Sequence, residues 1–404
     1  MLKMNRRQTF FGLLTGVGLM LACVGGNTEQ ASSGEEQEGL FKVISKGGDS
    51  GDYQAFTDAV RLKNGDILVV FYAGDGHVTY PSEQYPNAGR LCMVRSTDQG
   101  KTWSAPKTVV DDEADNRDPH IAQMSDGTVV LTFFNTLFGD TIARDFGKET
   151  PIHYKQQHRE RRSGGIHFIR SFDNGETWES SSTQVLTGGV NHACSAPMRE
   201  LPDGTWLYPA YHQGAKEAWG TVIHSPDKGK TWGPPVFIGN ESSAYLPAET
   251  DIIQLKDGTL YAALRGSIKD GDLMHFAISN DEGKTWGPAE SIGFQGHAPH
   301  FLRLSNDAIV MTYRAFRDDS DSKSGYTGFR ISFDEGKTWR GPYLIDEFWG
   351  AYAATVELDD HSLLISYYEE GEDSAVRVVR VEAPATSDTS IPHELPTPLK
   401  RLVL

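Results

Sequence analysis

The chain has 404 residues, 42 glycines, 10% aromatic residues and a formal net charge of −17. That acidity excludes general nucleic-acid binding, which needs a basic surface, and its plain reading is solubility. No long amphipathic helix and no Gly-rich phosphate loop stands out, so helical bundles and P-loop or dinucleotide folds are set aside.

Residues 1–23 read as a targeting segment outside the fold. Lys3, Arg6 and Arg7 make a basic start, Phe10–Leu21 is an apolar run, and Leu21-Ala22-Cys23 places a small residue before cysteine. This is similar to a bacterial lipoprotein signal, which implies lipidation of Cys23 and residence in the cell envelope, periplasmic or outer surface. Arg6-Arg7 also fits twin-arginine export. Residues 24–39, rich in Gly, Ser and Glu, read as a flexible tether. Cys92 and Cys194 lie in different repeats without metal-type spacing, and read as buried free thiols, a disulfide being the alternative.

From residue 40 onward two motifs alternate. Leu-x-Asp-Gly followed by an apolar run begins at Leu62, Met124, Leu201, Leu255, Leu304 and Leu358, the last two copies departing from the pattern. Asp-Gly between apolar runs predicts a β-hairpin. Ser-x-Asp-x-Gly-x-Thr-Trp begins at Ser96, Ser171, Ser225, Ser279 and Ser332, at intervals of 75, 54, 54 and 53 residues. It predicts a tight turn in which Asp bonds the following backbone, Gly takes positive φ and Trp anchors the turn. The long interval holds an insertion near Phe138–Gly164 with Lys148, Lys155, Arg159, Arg161 and Arg162.

Six hairpins with five octapeptides predict an all-β, six-bladed propeller over residues 40–383, each blade a four-stranded antiparallel meander. The missing sixth octapeptide is explained if Leu40–Ser45 supplies the last strand of the sixth blade and closes the ring without an open edge. Residues 384–404 form a Pro-containing tail.

The repeats also give a phase. With the third hairpin residue as zero, positions eight before and eight after lie at the end of each blade opposite both turns. The first set is Phe56, Asp118, Ser195, Glu249, Ala298 and Tyr352; the second is Tyr72, Phe134, Tyr211, Arg265, Arg314 and Tyr368. Arg117 adds a cation beside Asp118, and Glu369 and Glu370 follow Tyr368. Charges converging on one mouth either pair among themselves or bind something, because burying them alone is costly. The functional reading is a pocket for a small polar, anionic ligand.

These motifs resemble the bacterial sialidase superfamily, whose Asp boxes the octapeptides match. The resemblance implies a Tyr nucleophile at the start of the last blade, matched by Tyr352, and an activating Glu two blades earlier, matched by Glu249. It implies carboxylate-binding arginines, matched by Arg265 and by Arg314 or Arg317, and a supporting glutamate, matched by Glu369 or Glu370. A neutral Tyr suits an anomeric carbon bearing a carboxylate, since a carboxylate nucleophile would be repelled.

Two departures stand against the pattern. The superfamily's first arginine opens the first blade in a Phe/Tyr-Arg-Ile-Pro motif, and here Tyr53-Gln54-Ala55-Phe56 carries none. Arg117 or an arginine of the 159–162 cluster is the candidate replacement. The acid/base aspartate belongs in the Ala73–Gly89 loop, where Asp75 is the choice, with His77 and Glu83 beside it and Asp118 as a rival.

Three functions remain open: an exo-glycosidase of sialidase type releasing a terminal acidic sugar from glycans; a hydrolase or lyase of another acidic or sulfated polysaccharide, in which His297 and His300 would act; and a non-catalytic glycan-binding or assembly propeller. No cofactor or catalytic metal is expected; the membrane is met only through the lipid at Cys23.

Overall fold

Each hairpin motif closes on itself through the backbone. Leu62 N–H donates to Asp66 O and Gly65 N–H to Leu62 O, and the same pair of bonds recurs in the other five copies. The fourth residue takes positive φ, 93° at Gly65 and still 72° and 64° where Asp307 and His361 replace glycine. The computed structural model describes residues 41–138, 153–156, 159–185, 187, 192–194, 196–213, 218–240, 246, 249–266, 273–316, 325–347, 350–371, 374–386 and 397–398. The expected signal with Cys23, the tether, Lys148, Ser195 and Arg317 lie outside those residues.

β1 (Lys42–Ser45) precedes the first sheet, formed by β2 (Tyr53–Arg61), β3 (Ile67–Gly74), β4 (Arg90–Ser96) and β5 (Lys107–Val110). The second contains β6 (Asp115–Gln123), β7 (Val129–Phe138), β8 (His153–Gln156), β9 (Arg159–Ser171) and β10 (Thr183–Val185). In the third, the inner strand is split into β11 (His192–Ala193) and β12 (Arg199–Glu200), followed by β13 (Trp206–Gln213), β14 (Ala218–Ser225) and β15 (Val236–Ile238). The fourth has β16 (Thr250–Gln254), β17 (Leu260–Leu264), β18 (Leu273–Ser279) and β19 (Glu290–Gln295). The fifth has β20 (His297–Arg303), β21 (Ile309–Phe316), β22 (Gly325–Ser332) and β23 (Arg340–Asp346). The sixth has β24 (Gly350–Glu357), β25 (Leu363–Glu369) and β26 (Ala375–Val381), with β1 antiparallel to β26 as its fourth strand. The tail returns as β27 (Thr397–Pro398), parallel to β23 on the fifth blade.

Six apolar clusters lie between successive blades. One joins Val69 and Phe71 of the first blade to Val356 and Leu364 of the sixth, so the last interface of the ring is as apolar as the others. Cys92 and Cys194 are free and buried.

The octapeptide turns share one bond set. Ser96 Oγ donates to Asp98 Oδ1 and accepts from Gly100 N–H, while Thr102 N–H and Oγ1 donate to the two Asp98 oxygens. They lie at the hairpin end, where Lys228 of the third blade pairs with Asp126 of the second at 2.6 Å. The residue three before the hairpin zero stitches neighbouring blades at that same end. Gln123 accepts from Lys63 N–H, Glu200 from Ser125 N–H and Glu357 from Ser305 N–H, while Arg303 donates to Gln254 O and Arg61 to Glu357 O. At Gln254 the stitch changes. The corresponding residue of the third blade, Pro202, has no N–H, and Gln254 bonds its own Gly258 O. These strands enclose an axial cavity of about 600 Å³.

Candidate active site

The other end of the inner strands is irregular in a repeated way. Register shifts fall between Ala55 and Asp58, Arg117 and His120, His297 and His300, and Ala351 and Ala354. Inside each shift one non-glycine residue takes positive φ: Phe56 at 55°, Asp118 at 48°, Ala298 at 51° and Tyr352 at 50°. These are bulges, which re-aim a side chain at a local conformational cost of about 1–3 kcal/mol each. All four occupy the position eight before the hairpin zero, so the bulge falls where the phase places the mouth.

Tyr352 is buried, and its hydroxyl donates to Glu249 Oε1 at 2.9 Å, with Asp118 Oδ2 at 3.3 Å. Arg265 Nη1 donates to both Glu249 oxygens at 2.7 and 2.8 Å. Burial by itself raises the Glu249 carboxyl, but Arg265, His297, Arg314 and the Tyr352 hydroxyl together hold it below the usual range. Burial, with Asp118 and Glu249 alongside, pushes the Tyr352 phenol well above its ordinary value. The result is a neutral phenol beside an ionised carboxylate that can accept its proton. Arg314 acts on Glu249, Tyr352 and Tyr368 through its charge.

Arg117 lies between the rings of Phe56 and Phe134, at 5.2 and 5.6 Å from their centroids. Its Nε is buried without a hydrogen-bond partner among the described residues, 4.0 Å from Asp115 Oδ2. Burial pushes the Asp115 carboxyl up to about 6 against the pull of Arg117 and the Tyr72 hydroxyl. A guanidinium held on two aromatic faces with unfilled donor capacity suits an incoming anion.

Other expected residues fall elsewhere. Asp75 is exposed on the loop after β3, its backbone N–H bonded to Thr79 Oγ1, whereas the carboxylates that meet the Tyr352 hydroxyl are those of Glu249 and Asp118. Exposed His77 of the same loop sits against Phe56 at 5.1 Å between ring centroids. Glu83 is exposed. Glu369 is paired with Arg377, whereas Glu370 accepts from Tyr53 at 2.8 Å and Tyr368 at 2.9 Å beside the cluster. Of these two glutamates, Glu370 is therefore the one at the mouth. The side chains of Lys155, Arg159, Arg161 and Arg162 lie outside the described residues; their backbone forms the β8–β9 extension. Sequence reasoning missed Asp58 and His120 beneath Tyr352, although a shared phase six before the hairpin zero (Asp58, His120, Asp251, His300) carried the signal.

A BNR repeat-like domain model matches residues 213–347, and a BNR/Asp-box repeat model matches residues 94–105. A sialidase of Paraclostridium sordellii is 29% identical over 210 residues, which covers 48% of each chain. The chain spans about half the length of the curated relatives it matches. Among solved structures, a Dyadobacter fermentans protein of unknown function superposes with TM-score 0.68 at 21% identity, over 85% of this chain and 98% of that one. The NanB sialidase of Streptococcus pneumoniae gives 0.64 at 16%, over 88% and 72%. The repeat models and the curated sialidase relatives support a likeness to the bacterial sialidase superfamily. Against the pattern that this likeness implies, the chain differs at the opening of the first blade. Gln54 is turned inward to Gly47 O and Gly51 O, and Phe56 rather than a cation faces Tyr352, at 5.3 Å between ring centroids.

Proposed function

We propose that this protein is an exo-acting glycosidase of sialidase type that removes a terminal acidic sugar with retention of configuration. The observation that carries the reading is the 2.9 Å hydrogen bond from the Tyr352 hydroxyl to a Glu249 carboxylate gripped by Arg265. The phenol oxygen attacks the anomeric carbon as its proton passes to Glu249, and the bond to the leaving oxygen breaks. Asp118, beside the phenol, is the candidate acid for that oxygen, in place of exposed Asp75. Water then attacks the tyrosyl adduct and gives its proton to Asp118, and Tyr352 recovers its own from Glu249.

Arg117, Arg265 and Arg314 form the anion-binding set. Arg265 and Arg314 also depress Glu249, so a bound carboxylate that occupies them makes Glu249 more basic as the reaction begins. Turnover of an umbelliferyl sialoside by the wild type, reduced on the order of 1000-fold in Tyr352→Phe, is the expected result. Undiminished turnover in that variant removes the nucleophile assignment.

A second reading keeps the chemistry and changes the sugar, because the first cation here comes from Arg117 on β6 and not from β2. Activity on another acidic or sulfated aryl glycoside, with none on the sialoside, favours it. An ultraviolet-absorbing unsaturated product marks elimination, and binding without turnover marks a non-catalytic propeller.

A further inference from the structure

Directly beneath the mouth, three titratable side chains from three blades meet across the axis. Asp58 of β2 is fully buried; its Oδ2 lies 3.2 Å from His120 Nδ1 of β6, and its Oδ1 lies 3.1 Å from His300 Nε2 of β20. Asp58 also accepts Ala59 N–H at 2.7 Å and Ile121 N–H at 2.8 Å. Burial opposes its ionisation, but the His300 and His120 donors hold the carboxyl well below its ordinary range. A carboxylate only accepts, so His120 carries its proton on Nδ1 and His300 on Nε2. The two imidazoles are thus fixed in opposite tautomers by one carboxylate.

Three neighbours of this bridge bear on Tyr352. Thr57, next to Asp58, donates from Oγ1 to Tyr352 O at 2.8 Å. Thr312, the strand partner of His300, donates to Ala353 O. Two consecutive carbonyls of the bulge, those of Tyr352 and Ala353, are therefore gripped from β2 and β21, and Asp58–His300 joins those two blades. His120 follows Asp118 by two residues, and its ring centroid lies 6.3 Å from that of Tyr352.

We infer that the His120–Asp58–His300 bridge is a positioning device for the reaction centre, holding the bulged Tyr352 and Asp118 at their mutual geometry without touching substrate. This inference rests on the nucleophile assignment above. Histidine-to-amide exchange separates geometry from bulk, since Asn reproduces an Nδ1 donor and Gln an Nε2 donor.

The experiment measures umbelliferyl sialoside kinetics and melting temperature for His120→Ala, His120→Asn, His300→Ala and His300→Gln. The alanine variants are expected to lose about 100-fold in kcat while KM moves less than about threefold. The amide variants are expected to recover most of that loss at a similar melting temperature. Unchanged kcat in the alanine variants overturns the inference. So does a parallel fall in kcat and stability that the amides do not relieve. If the wild type leaves the sialoside untouched, the sugar assignment fails separately, and nuclear magnetic resonance of labelled histidine and tyrosine decides about the bridge. Opposite tautomers at His120 and His300, with a Tyr352 ring resonance displaced in His120→Ala and restored in His120→Asn, support it. An undisplaced Tyr352 resonance overturns it.

Discussion

Arg117 brings a cation to the mouth by a different route from the one the superfamily resemblance predicts. Its guanidinium rests on Phe56 and Phe134 and has buried donor capacity unfilled by the described residues, so its expected effect is on substrate capture. Arg117→Lys keeps the charge but loses the planar fork and the stacking. Kinetics on an acidic aryl glycoside should show kcat/KM lowered by about 10- to 100-fold, the equivalent of a charged hydrogen bond, mostly through KM. The phase of the repeats made Tyr352, Glu249, Arg265 and Arg314 legible, because a fixed distance from a hairpin turn fixes the height along a blade. It could not separate Glu369 from Glu370, since one residue reverses the face of a strand and the choice turned on where β25 ends. Asp75 was illegible for a related reason. Its place depends on a loop path set by the Thr79 hydrogen bonds to Asp75 N–H and the Tyr72 hydroxyl, which no repeat encodes.

The five octapeptide turns act as stability elements with a common acid sensitivity. The Thr102 side chain and N–H hold the Asp98 carboxyl at about 2, and the corresponding threonines hold Asp173 and Asp281 at about 2. These folded values lie below the ordinary 3.8. The stabilisation is therefore complete above about 4 and is lost as pH falls toward 2. Asp115 has the opposite sign. Its carboxyl is raised to about 6, so its contribution is present below about 4 and fades as pH rises through 6. Melting temperature is expected to drop steeply between pH 4 and pH 2, and a flat profile there would count against the turn network. Ser171→Ala removes the hydroxyl that accepts Gly175 N–H at 2.8 Å, and chemical denaturation should register a loss of about 1–2 kcal/mol. The turns themselves were plain in the sequence. The bulges at Phe56, Asp118, Ala298 and Tyr352 were not, because their residues share no type and their conformation is imposed by contacts from neighbouring blades.

At the scale of the molecule, the shortfall of octapeptides relative to hairpins pointed to the β1–β26 pairing, whereas the docking of β27 on the fifth blade had no repeat to announce it. Removing Lys42–Ser45 leaves β26 as an exposed edge, and size-exclusion chromatography of that deletion is expected to show self-association absent from the full chain. The same pairing has a mechanical consequence. Tension on the chain ahead of Lys42 enters at the outermost strand of the sixth sheet, through the partners Lys42–Val378, Val43–Arg377 and Ser45–Val376. An outer antiparallel strand pulled from its end opens one partner at a time, so the seam yields as a zipper. Tyr352 lies on β24, on the opposite edge of that sheet, with β26 and β25 between it and the load. A tug on the residues ahead of Lys42 would therefore fray the rim of the propeller before it reached the chemistry at the hub.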